Sequence, residues 1–146
     1  VPLCAIAYRS DAADGISVDR LNALVRDASH HNRLAGVTGV LLFDGSRFLQ
    51  YIEGPEDGID FVYARLLNAT SHLNVAELAR GHGGIRRFPY WSMHWIPVEQ
   101  HKLHAVAVAD WTLMEKHRSE AAVVVPAVAQ LCELVQPHVQ ALTGGP

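Results

Sequence analysis

Apolar residues recur along the chain in two rhythms: short continuous or alternating runs, and stripes that return every three to four positions. Residues 3–8 form a short apolar run that stops at Arg9, Ser10 and an Asp/Gly-containing stretch to Gly15, the pattern of a buried strand entering a loop. From Ser17, a residue type suited to an N-cap, Leu21, Leu24, Val25 and Ala28 fall at helical spacing. Four positions further on, the same inward stripe reaches Asn32. Residues 40–43 make a second strand that stops at Asp44-Gly45, a hairpin signal, and residues 48–52 resume as its partner. After Glu53-Gly54-Pro55, the helical rhythm returns at Ile59, Val62, Tyr63, Leu66 and Leu67, with Pro55 placed for a helix start. Residues 75–78 predict a fourth strand, 85–88 a short apolar piece beside Gly81, Gly83 and Gly84, and the aromatic-rich 90–96 a fifth strand.

This order, βαββαβ with one added strand, predicts an α+β fold of the ferredoxin-like type, a mainly antiparallel sheet with two helices on one face. Pro97 closes that unit, giving an expected domain at residues 3–97 and a helical extension at 98–146. The extension predicts two helices, near 110–119 and 126–142, laid on the sheet's other face, with Pro126 in a first turn and Pro137 a kink. Residues 143–146 read as a frayed end. Val123, Val124, Val125, Val128, Leu131, Leu134 and Val135 exceed what one sheet face absorbs, so a homodimer or larger homo-oligomer is expected.

Composition narrows the partners. At 146 residues and 49% hydrophobic, the chain suits a single core, and a net charge of −3 leaves no basic field for nucleic acid. The longest apolar stretch, 121–129, is interrupted by Pro126 and falls well short of the about 20 residues a bilayer span needs, so no membrane partner is expected. Cys4 and Cys132 lie far apart without a CxxC pattern, and the start lacks the profile of a secretion signal, so a reducing cytoplasm is the expected setting. A first residue of Val fits a trimmed or processed chain.

Strand alternation sorts side chains by face before any role is assigned. Cys4, Ile6, Tyr8 and Ser10 share one face, as do Phe48, Gln50 and Ile52, and as do Trp91, Met93 and Trp95. If these are the helix-facing sides, Tyr8, Gln50, Trp91, Met93 and Asn32 converge in one partly apolar space. Tyr8 also reads as a core tyrosine with its hydroxyl at the rim, Asn32 as a helix cap and Met93 as a gap-filler. Gln50 is harder to read as ordinary surface, because Phe48, Leu49, Tyr51 and Ile52 make both faces apolar around it. Buried Gln and Asn need hydrogen-bonding partners, and a ligand would supply them. The nine histidines show no HExxH and no zinc spacing, so no metal is expected. A GxSxG, a P-loop and a GxGxxG after the first strand are all absent, as is an evident acid/base pair, so an enzyme is not expected.

AIAYRS at 5–10, HHNRLAGVTGVLLFDGSRFLQYIEGP at 30–55 and IRRFPYWSM at 85–93 stand in an order and spacing that closely resemble the BLUF family of flavin-binding blue-light photoreceptors, over residues 3–96. The resemblance implies a flavin, FAD with FMN or riboflavin as alternatives, held noncovalently between the two helices. It implies that Tyr8 is the redox-active tyrosine, Gln50 the switching glutamine and Asn32 the residue bonded to the pyrimidine end of the flavin. Ser10, Trp91 and Met93 match positions around Gln50; His31 stands at a cofactor-binding place where members carry Asn or His, and Arg65 and His72 match polar positions near the ring or its tail. Family members commonly carry an acidic residue and, two places later, an Arg before the histidine; this chain reads Ala69-Thr70-Ser71-His72, with Arg65 placed to compensate. The implied function is a short, stand-alone photoreceptor that signals through its fifth strand and C-terminal helices to an unidentified downstream protein. The alternatives are a flavin-free scaffold of the same fold and an acylphosphatase-like enzyme, for which Arg9-Ser10-Asp11 is a poor anion loop because Asp11 opposes an anion.

Overall fold

A computed structural model describes residues 3–69, 72–82, 85–116 and 125–143. Its elements run β1 (Leu3–Ala12), α1 (Val18–Ala35), β2 (Thr38–Phe43), β3 (Arg47–Pro55), α2 (Glu56–Leu67), β4 (His72–His82), β5 (Trp95–Pro97), α3 (Gln100–Ala107), α4 (Thr112–Lys116) and α5 (Pro126–Thr143). The strands form one sheet in the order β4-β1-β3-β2-β5, antiparallel throughout except for the parallel β2–β5 pair. This is the α+β, ferredoxin-like arrangement the pattern predicts.

Local chemistry sets the ends of α1. Ser17 accepts a hydrogen bond from the Arg20 amide through its side chain, and Gly36 ends the helix in the left-handed region at φ 73°. Helix α2 then lies close against that end. A Cβ on Gly58 would stand 2.2 Å from the Ala35 carbonyl oxygen, so the absence of a side chain permits this approach.

The sheet separates two cores. Cys4, Ile6, Tyr8, Leu41, Phe48 and Ile52 pack beneath Leu21 of α1 and Ile59, Val62 and Leu66 of α2. Ala5, Ala7, Val40, Leu42, Leu49 and Tyr51 face the other way, onto Leu103, Val106, Trp111, Met114, Val128, Leu131 and Val135 of the C-terminal segments. The parity of β1 and β3 read from the sequence holds: Cys4, Ile6, Tyr8, Phe48 and Ile52 share the helix-facing core.

Several expectations are corrected. Strand β4 runs over eleven residues, beyond the expected 75–78, because it is an edge strand whose outer side keeps polar residues such as Asn74 and Glu77. Strand β5 has only three residues in place of the expected 90–96. Residues 91–94 still border β2, since the Trp91 and His94 carbonyls accept from the Gly39 and Leu41 amides, but no ladder forms between those bonds. The tail holds three described helices, not two. Helix α3 escapes the sequence pattern because its eight residues bury only Leu103 and Val106 and its N-cap Glu99 makes no side-chain cap bond. Helix α4 is five residues long, with 117–119 of the expected 110–119 helix outside the described residues, and Pro137 sits inside α5.

Val125, Val128, Leu131 and Val135, counted as surplus in the sequence, are buried within this single chain, so they no longer argue for a second copy. Val123, Val124, Gly83, Gly84 and residues 144–146 lie outside the described residues.

Candidate functional site

Between α1 and α2, above the first of these cores, a cleft of about 690 Å³, counting its open mouth, reaches down to the sheet. Tyr8 and Gln50 lie directly opposite each other in the β1–β3 register and both line the cleft, with relative exposures of 1% and 6%. The Tyr8 hydroxyl has no hydrogen-bond partner, and its ring lies 5.4 Å from that of Tyr63. Burial pushes the phenol well above its ordinary value, so it stays protonated. Among the described residues, the Gln50 amide donates to the Met93 sulfur at 3.8 Å, a weak acceptor.

Helix α1 supplies the polar wall. Asn32 is fully buried and donates to the Ser92 carbonyl at 2.7 Å, and the Ser29 and Ser92 hydroxyls are hydrogen-bonded to each other. His31 lines the cleft, its Nδ1 bonded to the Asp27 carbonyl, and at the mouth Arg65 of α2 pairs with Asp27 at 3.2 Å. His72, at the start of β4, lies 4.6 Å from the Phe48 ring, with its Nδ1 2.9 Å from the Ser10 hydroxyl. Burial lowers its pKa to about 4, so it is neutral at physiological pH. The charged pair therefore sits at the mouth, while neutral donors and acceptors occupy the deeper cleft.

Of the residues singled out from sequence, Tyr8, His31, Asn32, Gln50, Arg65, His72 and Met93 line this cleft. Ser10 stands behind it on His72. Trp91 does not join them. It packs against the opposite core and stacks on His94 at 4.5 Å, so the expectation that Trp91 and Met93 share a face fails. Strand parity does not apply at 91–94, where there is no continuous ladder. Ala69 is a lining residue, whereas Thr70 and Ser71 fall outside the described residues. Ser29 and Ser92 went unnoticed in the sequence. Ser29 lies three positions before Asn32, close enough on a helix to share its face, which is the one signal that would have found it.

Two titratable groups, the half-buried His72 and the buried Glu53, give opposite pH signatures. His72 binds a proton in the unfolded chain below 6.5 but in the folded chain only below about 4, so its contribution is lost as pH falls through that window. Glu53, behind the sheet, is raised from 4.5 to about 7 mainly by burial, so its contribution is present below 4.5 and lost as pH rises to about 7. Each is worth on the order of 3 kcal/mol, and the two nearly cancel over their shared range. Glu53→Gln removes one of them. Chemical denaturation of the flavin-free variant is expected to show stability falling by about 2 kcal/mol from pH 6.5 to 4.5, against a nearly flat parent. A flat variant would refute the assignment.

Residues 3–94 match the family model described as BLUF, sensors of blue-light using FAD. The chain belongs to the BLUF family. It is 33% identical over 100 residues to the blue light- and temperature-regulated antirepressor BluF of Escherichia coli (strain K12), covering 68% of this chain and 25% of that protein. It is 27% identical over 111 residues to the photoactivated adenylate cyclase subunit beta of Euglena gracilis, covering 76% of this chain and 11% of that one. The chain thus spans a quarter or less of these curated relatives. Among solved structures, the dark state of the BLUF protein BlrB aligns with a TM-score of 0.68 at 27% identity, covering 93% of this chain and 96% of that one. Klebsiella pneumoniae BlrP1, in a manganese and cyclic-diGMP complex, aligns with a TM-score of 0.60 at 34% identity, over 65% of this chain and 24% of its own.

The BLUF cleft fits a flavin on this chain's own terms. An unpartnered phenol and an amide bonded to a weak sulfur acceptor lie side by side on the floor of the cleft, and a flavin, which carries carbonyl and ring-nitrogen acceptors, would complete their hydrogen bonds. Among the described residues no group of His, Cys, Asp and Glu is placed to hold a metal, and no helix is long and apolar enough to cross a membrane.

Proposed function

We propose that this domain is a blue-light receptor that holds oxidised FAD in the α1–α2 cleft and reports illumination through a change of hydrogen bonds around Gln50. The observation that carries the reading is the buried Tyr8–Gln50 pair, opposite each other across β1 and β3, with the Tyr8 hydroxyl unsatisfied. Asn32, His31, Gln50, Arg65, His72 and Met93 are the residues that would hold the flavin, with Tyr8 beneath. When bound, an excited flavin supplies a strong oxidant. Tyr8 holds its proton at Oη and is therefore a phenol ready to give an electron and then that proton. Gln50 presents a donor on one side of its amide and an acceptor on the other, so its rotation or tautomerisation reverses the bonds it offers. Its bond to Met93 is weak enough to give way.

Segment 91–94 carries the change outward. Met93 faces the cleft, whereas Trp91 and His94 stack on the far side, and the His94 ring lies 6.4 Å from that of His138 on α5. Residues 3–97 act as the flavin-binding unit and 98–146 as the extension that a downstream protein reads. Cys4 and Cys132 are free thiols, in keeping with a reducing cytoplasm.

The test is the absorption spectrum before and after blue light. The purified protein is expected to show an oxidised-flavin spectrum that shifts slightly to the red on illumination and returns in darkness. A protein that cannot be loaded with flavin would sink the reading and favour a flavin-free scaffold.

A further inference from the structure

Strand β3 carries a second buried polar residue that the proposed switch does not use. Glu53 lies three residues after Gln50, on the opposite face of the sheet, and has no exposed surface. Its Oε2 accepts the backbone N–H groups of Arg87 at 2.7 Å and Phe88 at 2.6 Å, while Oε1 has no partner. Arg86 reaches the other way. Its guanidinium donates to the Thr38 hydroxyl at 2.8 Å, the Glu53 carbonyl at 3.1 Å and the Gly36 carbonyl at 2.8 Å. Five hydrogen bonds thus join residues 86–88 to β2, β3 and the C-cap of α1. Four residues past Phe88, Asn32 grips the Ser92 carbonyl, and the next residue is Met93, against Gln50.

We propose that Glu53 and Arg86 are positioning residues for the cleft, fixing the start of segment 86–94 and thereby the places of Ser92 and Met93 against Asn32 and Gln50. The inference rests on the function proposed above only in calling the cleft a flavin site; the clamp itself belongs to the flavin-free chain. Its strength depends on charge. A carboxylate accepts N–H bonds roughly twice as strong as those to a neutral oxygen, so proton uptake by Glu53 loosens the hold on 87–88. The charged and titratable groups facing Glu53 are Arg86 and Arg87 on the segment, Tyr51 on β3 and Cys132 on α5. Burial raises Tyr51 and Cys132 above their ordinary values, so neither loses its proton near neutrality. Burial raises Glu53 itself to about 7, against the pull of the two N–H bonds and the two arginines, so its charge changes within the physiological range.

The test is a pH titration of the full chain by amide NMR between about pH 5.5 and 8.5, flavin-free and flavin-loaded. The Arg87 and Phe88 amide protons are expected to titrate with one midpoint near 7, and the Ser92 and Met93 amides and the Gln50 side-chain amide to follow the same midpoint. Glu53→Gln, which keeps an acceptor but not the charge, is expected to abolish all five titrations. In Arg86→Lys, which keeps charge but loses the forked contacts, the Ser92 and Met93 amides are expected to exchange about tenfold faster than in the parent. Titration confined to Arg87 and Phe88 would overturn the proposal, as would unchanged exchange in Arg86→Lys, because the clamp would then be local. Failure to load flavin would count against the photoreceptor reading alone, since the flavin-free titration decides the clamp.

Discussion

A Gln50→Leu variant is expected to bind flavin within about tenfold of the parent and to show no absorption shift under blue light. Leu nearly matches Gln in length and lacks the amide, so it fills the same space among Leu41, Phe48 and Met93 without offering a donor or an acceptor. The binding cost is limited to a hydrogen bond, about 1 kcal/mol. Folding should not suffer. Gln50 is 6% exposed and its amide donates to a sulfur at 3.8 Å, so an apolar replacement removes a poorly satisfied polar group. Titration with FAD, light-minus-dark spectra and thermal melts of the flavin-free protein check the three statements separately. A retained red shift would take the switch away from Gln50 while leaving the flavin site intact.

The largest stability loss is expected for Gly58→Ala. The added methyl would stand 2.2 Å from the Ala35 carbonyl oxygen and 3.4 Å from the Ala35 Cβ, and the obstacle is backbone, which cannot swing aside. Helix α2 must shift away from the end of α1, at a cost of about 3 kcal/mol and a fall in Tm of about 10 °C. Because these two helices are the walls of the cleft, flavin affinity should fall as well. Leu34→Ala is the control: one residue before Ala35 but 74% exposed, it should change stability by less than about 0.5 kcal/mol. Equal melting curves for Gly58→Ala and the parent would show that the helices re-seat without cost.

The sequence made most of this site legible because the cleft floor is built from regular strands. Alternation placed Tyr8 and Gln50 on one face, and the 3.6-residue stripe of α1 carried Asn32 inward, so three polar positions met without any structure. Trp91 was misplaced for the converse reason. Alternation holds only where ladder bonds are continuous, and between the Trp91 and His94 carbonyls the segment leaves the pleat. Glu53 went unread because its role depends on the backbone amides of Arg87 and Phe88, more than thirty residues away, and a backbone donor carries no residue-type signature. Helix α3 was lost because two buried residues in eight make too faint a stripe.

The outer side of β4 has a further consequence, for behaviour at high concentration. An eleven-residue strand at the rim of a sheet is a template on which another chain can build, the route by which β proteins gel. This rim is spoiled along its length. Asn74 has a positive φ of 55°, the pairing with β1 slips at two places, and Glu77 and Arg80 set an ion pair along the strand. An incoming strand would meet a twisted edge and would have to strip water from charges, so these residues act as guards against aggregation.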